Sequence, residues 1–303
     1  MDKLKKLGLT ALAGSMVATS AAAGEFGVTG GMSWNWDSQH SDESGNPMSM
    51  TNDLLFTGSG ETDQGWTATV ALELDDGVAV DESISIDFGD GGVLQYGGSS
   101  KGGRGIGMVE NYIPHADTAV YSTSGDATAY GVADGASSTN NVSHQITVGD
   151  IKIGAEVHKG AGTSTSWGLQ YTGIDNLTLG IGMSDLSPNA QDGGSDSETI
   201  GVKYAIGGVT LGYQVTEVDL SASDEDAVMY GASFAVNDDL TISYGRQTVE
   251  IQGKANDEIN SGFSASYTMG SMSIGAYANK TENMNGANAT DDEGKGITVS
   301  IAF

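Results

Sequence analysis

Residues 296–303 read GITVSIAF, a stretch in which apolar residues alternate with glycine, alanine or small polar residues up to Phe303. Successive side chains of a β-strand point to opposite faces, so this stretch predicts a strand with one apolar and one polar face. The alternation recurs along the chain in about sixteen segments separated by turn residues. We predict strands at 26–36, 49–59, 66–75, 83–89, 93–98, 141–148, 151–158, 165–172, 177–185, 198–206, 209–219, 227–236, 240–251, 262–269, 272–280 and 296–303.

The first 23 residues have the features of a secretory signal peptide. Three lysines, at positions 3, 5 and 6, precede an apolar run, and three alanines at 21–23 offer a cleavage site. The run is interrupted by glycine and threonine and is shorter than the ~20 apolar residues of a membrane-spanning helix. We therefore expect residues 1–23 to be a signal peptide and residues 24–303 to form an exported β-barrel.

The composition is strongly acidic, with 40 acidic and 12 basic residues and a formal charge of −28. Removal of residues 1–23 takes away one acid and three bases and would bring the charge to −30. A nucleic-acid-binding protein needs basic patches, so that class is excluded, and a polyanionic surface should instead collect cations. The chain contains no cysteine, and it shows no hydrolase, metalloprotease or nucleotide-binding motif, so it is not predicted to be an enzyme.

The connectors between the predicted strands alternate in length. Tight turns rich in glycine, asparagine and aspartate alternate with longer acidic loops at 37–48, 76–82, 159–164, 186–197, 220–226, 252–261 and 281–295. Short turns at one rim and long loops at the other are typical of outer-membrane barrels. The sequence therefore predicts an all-β protein, a 16-stranded antiparallel transmembrane β-barrel, which is wide enough to enclose an aqueous lumen.

The charged residues fit this assignment of the two faces. Most mid-strand charges share the parity of the polar face: Asp53, Glu73, Asp87, Lys152, Glu156 and Lys203. A lysine that faces lipid at the bilayer midplane costs ~2–4 kcal/mol, so these charges should line the pore. Arg246 is the exception, because it shares the parity of Ile242 and Tyr244. A β-bulge or a position near the loop rim would explain it.

The connector at 99–140 is the longest in the chain. A loop of this length without regular structure is uncommon and usually functional. In a wide barrel it can fold into the lumen as a constriction loop, although a solvated surface excursion is the alternative. Its candidate pore residues are Lys101, Arg104, Glu110, Asp117 and Asp126.

The stretch 49–65, SMTNDLLFTGSGETDQG, resembles the second strand and first turn of the alphaproteobacterial general porins. The signal peptide, the long loop after the fifth strand and the final phenylalanine extend this resemblance over the whole chain. The resemblance implies a homotrimer in the outer membrane of a Gram-negative bacterium that lets small hydrophilic solutes diffuse. It also implies a third loop whose carboxylates oppose wall arginines, but Thr51 and Asp53 stand where such arginines are expected.

The predicted function is therefore a passive porin, and its excess of pore carboxylates predicts cation selectivity. A plugged outer-membrane structural or adhesion barrel and a secreted soluble all-β protein are the alternatives. The acidic clusters at 224–226 and 291–293 could bind Ca2+ and bridge to lipopolysaccharide, or could simply be solvated charge. No other cofactor is expected. The expected partners are membrane lipid, lipopolysaccharide, further copies of the chain, and small hydrophilic solutes and cations.

Overall fold

The computed structural model describes residues 24–38, 46–97, 103–109, 112–116, 140–159, 163–185, 195–220, 224–288 and 291–303. The predicted signal peptide at 1–23 lies outside the described residues. The described chain forms sixteen strands, and their bounds are β1 Glu25–Asp37, β2 Met48–Glu61, β3 Thr67–Asp75, β4 Val78–Asp87, β5 Val93–Gly97, β6 Asn141–Val148, β7 Ile151–Lys159, β8 Thr163–Ile174, β9 Leu177–Asp185, β10 Ser195–Ile206, β11 Val209–Leu220, β12 Asp224–Ala235, β13 Leu240–Ile251, β14 Glu258–Met269, β15 Met272–Glu282 and β16 Asp292–Ala302.

The strands form one closed barrel in which every strand pairs antiparallel with its neighbours in the chain. β1 closes the barrel against β16, with Trp34 opposite Val299 and Trp36 opposite Ile297. Backbone hydrogen bonds run both ways between Gly30 and Phe303, at 3.1 and 2.9 Å. The predicted 16-stranded antiparallel barrel is confirmed, and closure leaves no open sheet edge in the membrane.

Two-residue turns join many strands at one end of the barrel, here called the short-turn rim. Gly149, Gly207 and Gly270 each open such a turn with a positive φ of 59–62°. Hairpin turns of this length need a residue with positive φ at their first position, which glycine adopts without strain. The opposite end, which carries the connectors 38–47, 98–140, 186–194 and 283–291, is called the long-loop rim.

The connector between β3 and β4 differs from its prediction. The expected acidic loop at 76–82 was wrong, because Asp76 and Gly77 form a two-residue turn with φ of 48° and 79°. The Asp76 carboxylate accepts hydrogen bonds from the backbone and side-chain nitrogens of Asn52, at 3.1 and 2.8 Å. These bonds stabilise the left-handed conformation that aspartate tolerates in turns. As a consequence β4 begins at Val78 and includes Asp81.

Several strands also extend further toward the long-loop rim than predicted. The cluster at 224–226 was expected in a loop but lies at the start of β12, and residues 292–293 lie in β16. Side chains alternate there, so Glu225 is buried on the inward face, whereas Asp224 and Asp226 are exposed on the outward face. Strand geometry therefore separates the carboxylates that looked contiguous in the sequence.

The outward face carries large exposed apolar side chains, as a lipid-facing surface requires. Ile200 is 57% exposed and Phe263 is 64% exposed. Arg246 shares this face, opposite Tyr230 on β12 and Ser261 on β14, and both registers run through it without interruption. The bulge offered as an explanation for Arg246 was therefore wrong. Among the described residues, no helix combines the length and apolar character needed to cross a membrane.

Candidate pore lining

The inward face of β2–β4 forms a wall of carboxylates. Asp53 on β2 lies opposite Asp75 on β3, and Glu73 on β3 lies opposite Asp81 on β4. Directly opposed side chains on one face have Cβ atoms about 4.5–5.5 Å apart, and like charges at such positions destabilise a sheet. Asp87 continues the same parity at the end of β4 toward the short-turn rim. We call this surface the acidic wall.

The acidic wall has no basic residue on its own part of the barrel. The sequence from residue 24 to residue 100 contains no lysine and no arginine, and this segment includes all of β1–β5. Asp53 and Asp75 are exposed, so water in the lumen solvates their charge. Asp75 and Asp81 were not predicted as site residues. Asp75 shares the parity of Glu73 and could have been found, whereas Asp81 was assigned to a loop.

The inward face of β7–β14 differs, because a continuous band of glycines crosses it. Gly154 lies opposite Gly168, which lies opposite Gly182, and Gly180 lies opposite Gly201. Further along the sheet, the registers connect Gly212, Gly231, Gly245 and Gly262 in series. We call these nine residues the glycine band.

The described parts of the long connector, residues 103–109 and 112–116, lie against the glycine band. A Cβ atom on Gly154 would meet the carbonyl oxygen of Arg104 and the sulfur of Met108, and one on Gly201 would meet the ring of Tyr112. Since a side chain at these positions would collide with the connector, glycine allows its close approach. The segment buries Ile106, Val109, Tyr112 and Ile113 at 0–6% exposure.

Buried hydrogen bonds fix the start of this segment to the wall. Glu156 on β7 is 2% exposed and accepts hydrogen bonds from the Ser166 hydroxyl at 2.9 Å and from the Arg104 amide at 3.3 Å. The guanidinium of Arg104 donates to the Gln95 side chain at 2.6 Å, so the segment also reaches β5. Burial lowers the pKa of Arg104, because desolvation disfavours its charged form. Glu156, predicted to line the pore, is instead a buried anchor.

Further along, Tyr112 and the residues after it are held by amide and hydroxyl groups of the wall. The Tyr112 amide donates to Gln214 at 3.2 Å, and its hydroxyl accepts from Gln170 at 3.2 Å. Burial raises the pKa of Tyr112, and the hydrogen bond from Gln170 offsets part of that rise. The Ala116 amide lies within hydrogen-bond distance of two wall serines, Ser243 and Ser264.

The predicted basic wall residues have different surroundings. Lys203 lies 5.6 Å from the centroid of the Tyr112 ring, a distance at which an ammonium is attracted to an aromatic face. Lys152, also at inward parity, lies opposite Thr147 and Gln170. Four predicted site residues, Lys101, Glu110, Asp117 and Asp126, lie outside the described residues, so the prediction that residues 99–140 constrict the pore remains a prediction.

The described residues contain no group of three or more histidine, cysteine, aspartate or glutamate side chains placed to hold a metal ion. The Ca2+ hypothesis remains a prediction. The arrangement combines a closed barrel, an apolar outer face and a polar inner face with charged groups. These features define a class of protein, the membrane-spanning channel barrels.

The chain belongs to the Gram-negative porin family, whose model matches residues 8–303. This membership places the protein in the bacterial outer membrane and makes it a passive channel rather than an enzyme. No curated protein matches the chain.

Solved porin structures have the same fold. The chain is similar to OmpT of Vibrio cholerae, with 12% identity, a TM-score of 0.66 and coverage of 94% of this chain and 99% of OmpT. An anion-selective porin from Comamonas acidovorans has 12% identity and a TM-score of 0.67, with coverage of 92% and 100%. A variant of the Rh. blastica porin also has 12% identity and a TM-score of 0.67, with coverage of 92% of this chain and 100% of that chain.

Proposed function

We propose that this porin is a cation-selective channel whose selectivity comes from the acidic wall. The observation that supports it is the acidic wall formed by Asp53, Glu73, Asp75, Asp81 and Asp87, in a part of the sequence without lysine or arginine. Carboxylates that line a water-filled path raise the local concentration of cations and lower that of anions.

The position of the connector strengthens the contribution of the acidic wall. The described parts of the connector, residues 103–109 and 112–116, cover inward faces on β7–β12, where Glu156 and Lys203 lie. Solutes that pass this level therefore travel on the side of the lumen nearer to β2–β4. In water, one unit charge at about 4 Å from an ion changes the free energy of that ion by about 1 kcal/mol. This difference changes the local ion concentration about fivefold.

The test is the reversal potential of single channels in a planar bilayer under a potassium chloride gradient. We expect the sign of cation preference for the wild type, and a large reduction of that preference in the triple variant Asp53→Asn, Glu73→Gln, Asp81→Asn. The matched control, Asp219→Asn with Asp226→Asn, removes exposed outward carboxylates and should leave the reversal potential unchanged. Anion preference in the wild type, or an unchanged triple variant, would contradict the proposal.

The same recording separates the channel from the plugged barrel considered as an alternative. A plugged barrel would show no stepwise openings in either the wild type or the variants.

We also propose that the protein assembles as a homotrimer. A V. cholerae OmpT structure described as a trimer form shares the fold, with 12% identity and a TM-score of 0.66, and covers 92% of this chain and 99% of that one. The mass of the detergent-solubilised protein, measured by light scattering, tests this: a monomer mass would contradict it.

A further inference from the structure

Tyr277 on β15 is the one aromatic residue of the sixteen described strands that stands at an inward position. The tyrosine, tryptophan and phenylalanine residues of the other strands all have outward parity. Tyr277 lies directly opposite Ser264 on β14 and Gly296 on β16, both of which face inward. It also lies near the middle of β15, which runs from Met272 to Glu282. An aromatic ring on the water-facing side of the barrel is therefore a candidate for contact with solutes.

The ring of Tyr277 extends across Gly296 to Asp37 on β1. A Cβ atom on Gly296 would meet both the ring carbon Cε1 of Tyr277 and the carboxylate oxygen Oδ1 of Asp37. The Tyr277 hydroxyl donates a hydrogen bond to that oxygen at 2.6 Å. Asp37 lies directly opposite Gly296, so the ring spans from β15 to β1 over a position without a side chain. The half-buried ring therefore rests on β16 and turns its other face toward the lumen.

The hydrogen bond to Asp37 makes the ring of Tyr277 suitable for attracting cations. The face of an aromatic ring is negative, and a cation within about 6 Å of the ring centre is attracted to it. A phenol that donates to a carboxylate becomes more electron-rich, and the carboxylate adds its own negative charge at the edge of the ring. We call the ring face of Tyr277 and the carboxylate of Asp37 together the tyrosine platform.

No basic residue of the neighbouring described strands opposes a cation at the tyrosine platform. The inward positions of β14–β16 carry no lysine or arginine, and β1–β5 contain neither residue. Lys280 on β15 and Lys295 on β16 have outward parity. Because β1 pairs with β2, Asp37 also stands beside the acidic wall. The tyrosine platform therefore extends the negative surface of the lumen and adds an aromatic face to it.

The described end of the connector lies beside the tyrosine platform. The Ala116 amide donates to the Ser264 hydroxyl at 3.1 Å, and Ser264 lies directly opposite Tyr277. The connector therefore reaches the strand next to Tyr277 at the same level of the barrel. A solute that passes the connector at this level travels close to the ring.

We propose that the tyrosine platform binds organic cations of the quaternary ammonium class. Such ions carry their charge on a surface of methyl groups, which can contact an aromatic face directly. A metal ion instead needs several oxygen ligands, and the described residues contain no group of three or more histidine, cysteine, aspartate or glutamate side chains placed to hold one. The inference rests on the proposed cation selectivity and names a class of solute that the channel binds.

The test is block of the potassium current through single channels by choline, a quaternary ammonium ion. A cation that binds in the lumen obstructs the path, so the half-blocking concentration of choline measures its affinity. We expect Tyr277→Leu to raise this concentration about twofold to fivefold, the range of a cation–π contact at an exposed site. Asp37→Asn should raise it to a similar extent, because it removes the charge but keeps the ring.

The neutral analogue of choline, in which carbon replaces the ammonium nitrogen, serves as the control ligand. It has the same shape without the charge, so it should block the wild type much less than choline does. Neither Tyr277→Leu nor Asp37→Asn should change its effect.

Two further variants serve as matched controls. Tyr267→Leu removes a tyrosine from an outward position of β14, and Glu61→Gln removes an exposed carboxylate from the end of β2. Both should keep the wild-type half-blocking concentration of choline. Tyr277→Phe keeps the ring and loses only the hydroxyl, so its change should be smaller than that of Tyr277→Leu. Stepwise openings show that a variant has folded, and if Tyr277→Leu gives none, Asp37→Asn decides the test.

Three results would overturn the proposal. The first is an unchanged half-blocking concentration in Tyr277→Leu and Asp37→Asn, which would mean that the ring only covers a glycine and stabilises the sheet. The second is an equal rise in Glu61→Gln, which would indicate general lumen charge. The third is equal block by choline and its neutral analogue. The reversal potential of the same channels in potassium chloride keeps the two proposals separate: cation preference there leaves the selectivity proposal intact even if the tyrosine platform fails.

Discussion

The acidic wall and the glycine band lie on the same inward face of one sheet, but the first carries charged side chains and the second carries none. On β2–β4 the wall keeps charged side chains, such as Asp53 and Glu73, although they stand opposite other carboxylates. Along the glycine band of β7–β14 no side chain is present, and positions such as Gly154 and Gly201 contact the connector instead.

The contrast shows that the residues of an inward surface depend on whether that surface faces water or a packed chain segment. Where the wall faces lumen water, high dielectric screening lets like charges stand close together. Where a chain segment lies on the wall, close packing excludes side chains, and the remaining polar groups must be paired because they are buried. The buried pairing of Glu156 with Ser166 and Arg104 is an example.

The largest effect is expected from a side chain introduced into the glycine band. In Gly201→Leu the new side chain meets the Tyr112 ring, so the connector must move. We expect a loss of about 1–3 kcal/mol in the free energy of unfolding, as overpacking typically costs, together with an altered single-channel conductance. Denaturant unfolding and bilayer recording measure the two effects.

The control for this variant is Gly60→Leu on β2. A Cβ atom at Gly60 would find nothing within 4 Å, so the same substitution meets open space there. Its stability should remain closer to that of the wild type. Equal losses in the two variants would mean that the glycine band does not seat the connector.

A second prediction concerns the buried anchor of the connector. Glu156→Ala removes the acceptor for both the Ser166 hydroxyl and the Arg104 amide and should cost about 1–3 kcal/mol in the free energy of unfolding. It should also increase current noise in open channels, because the connector is less firmly held. The control, Glu61→Ala, removes an exposed carboxylate at the end of β2 and should change neither quantity. Open-channel current noise at the wild-type level in Glu156→Ala would contradict the anchoring role.

A third region, on the outward face, also places like charges opposite one another. Near the long-loop rim, Glu198 lies opposite Glu217, which lies opposite Asp226, which lies opposite Glu250. These groups face away from the pore, so Glu217→Gln should raise stability by about 0.2–1 kcal/mol and leave the reversal potential unchanged. Thermal unfolding and bilayer recording test the two statements.

The same row provides the test of the Ca2+ hypothesis. If Ca2+ bridges outward carboxylates, it should raise the melting temperature of the wild type and raise that of Glu217→Gln by less. Magnesium at equal ionic strength serves as the control for screening. The same melting temperature with and without Ca2+ would favour the alternative that these carboxylates are only solvated charge.

The smallest expected effect is the titration of Tyr112. Burial raises its pKa, so the folded state holds the phenolic proton more tightly than the unfolded state does. The resulting stability is fully present below the ordinary pKa of about 10 and is lost as the pH rises through the raised value. Ultraviolet difference absorbance should show one tyrosine that ionises late and is missing in Tyr112→Phe. The same titration curve in both proteins would show that Tyr112 is not shielded from water.

The alternation of apolar and polar residues along the chain predicted much of the barrel. Alternation predicted all sixteen strands, and β6, β9 and β13 have the predicted bounds. Parity also placed Asp53 and Glu73 on the inward face. The prediction of an acidic loop at 76–82 was wrong. Asp76 and Gly77 form a tight turn with positive φ, so the strand resumes at once and Asp81 becomes part of the acidic wall.

The strand period and the two faces could be predicted from the order of residues, because they depend on neighbours in the chain, and the excess of negative charge follows from composition. Only the folded barrel showed that Tyr112 rests on Gly201 and that Glu156 is buried. Such contacts join residues that are far apart in the chain. They arise only when the sheet closes and the registers fix which side chains meet, and a two-residue period carries no information about closure.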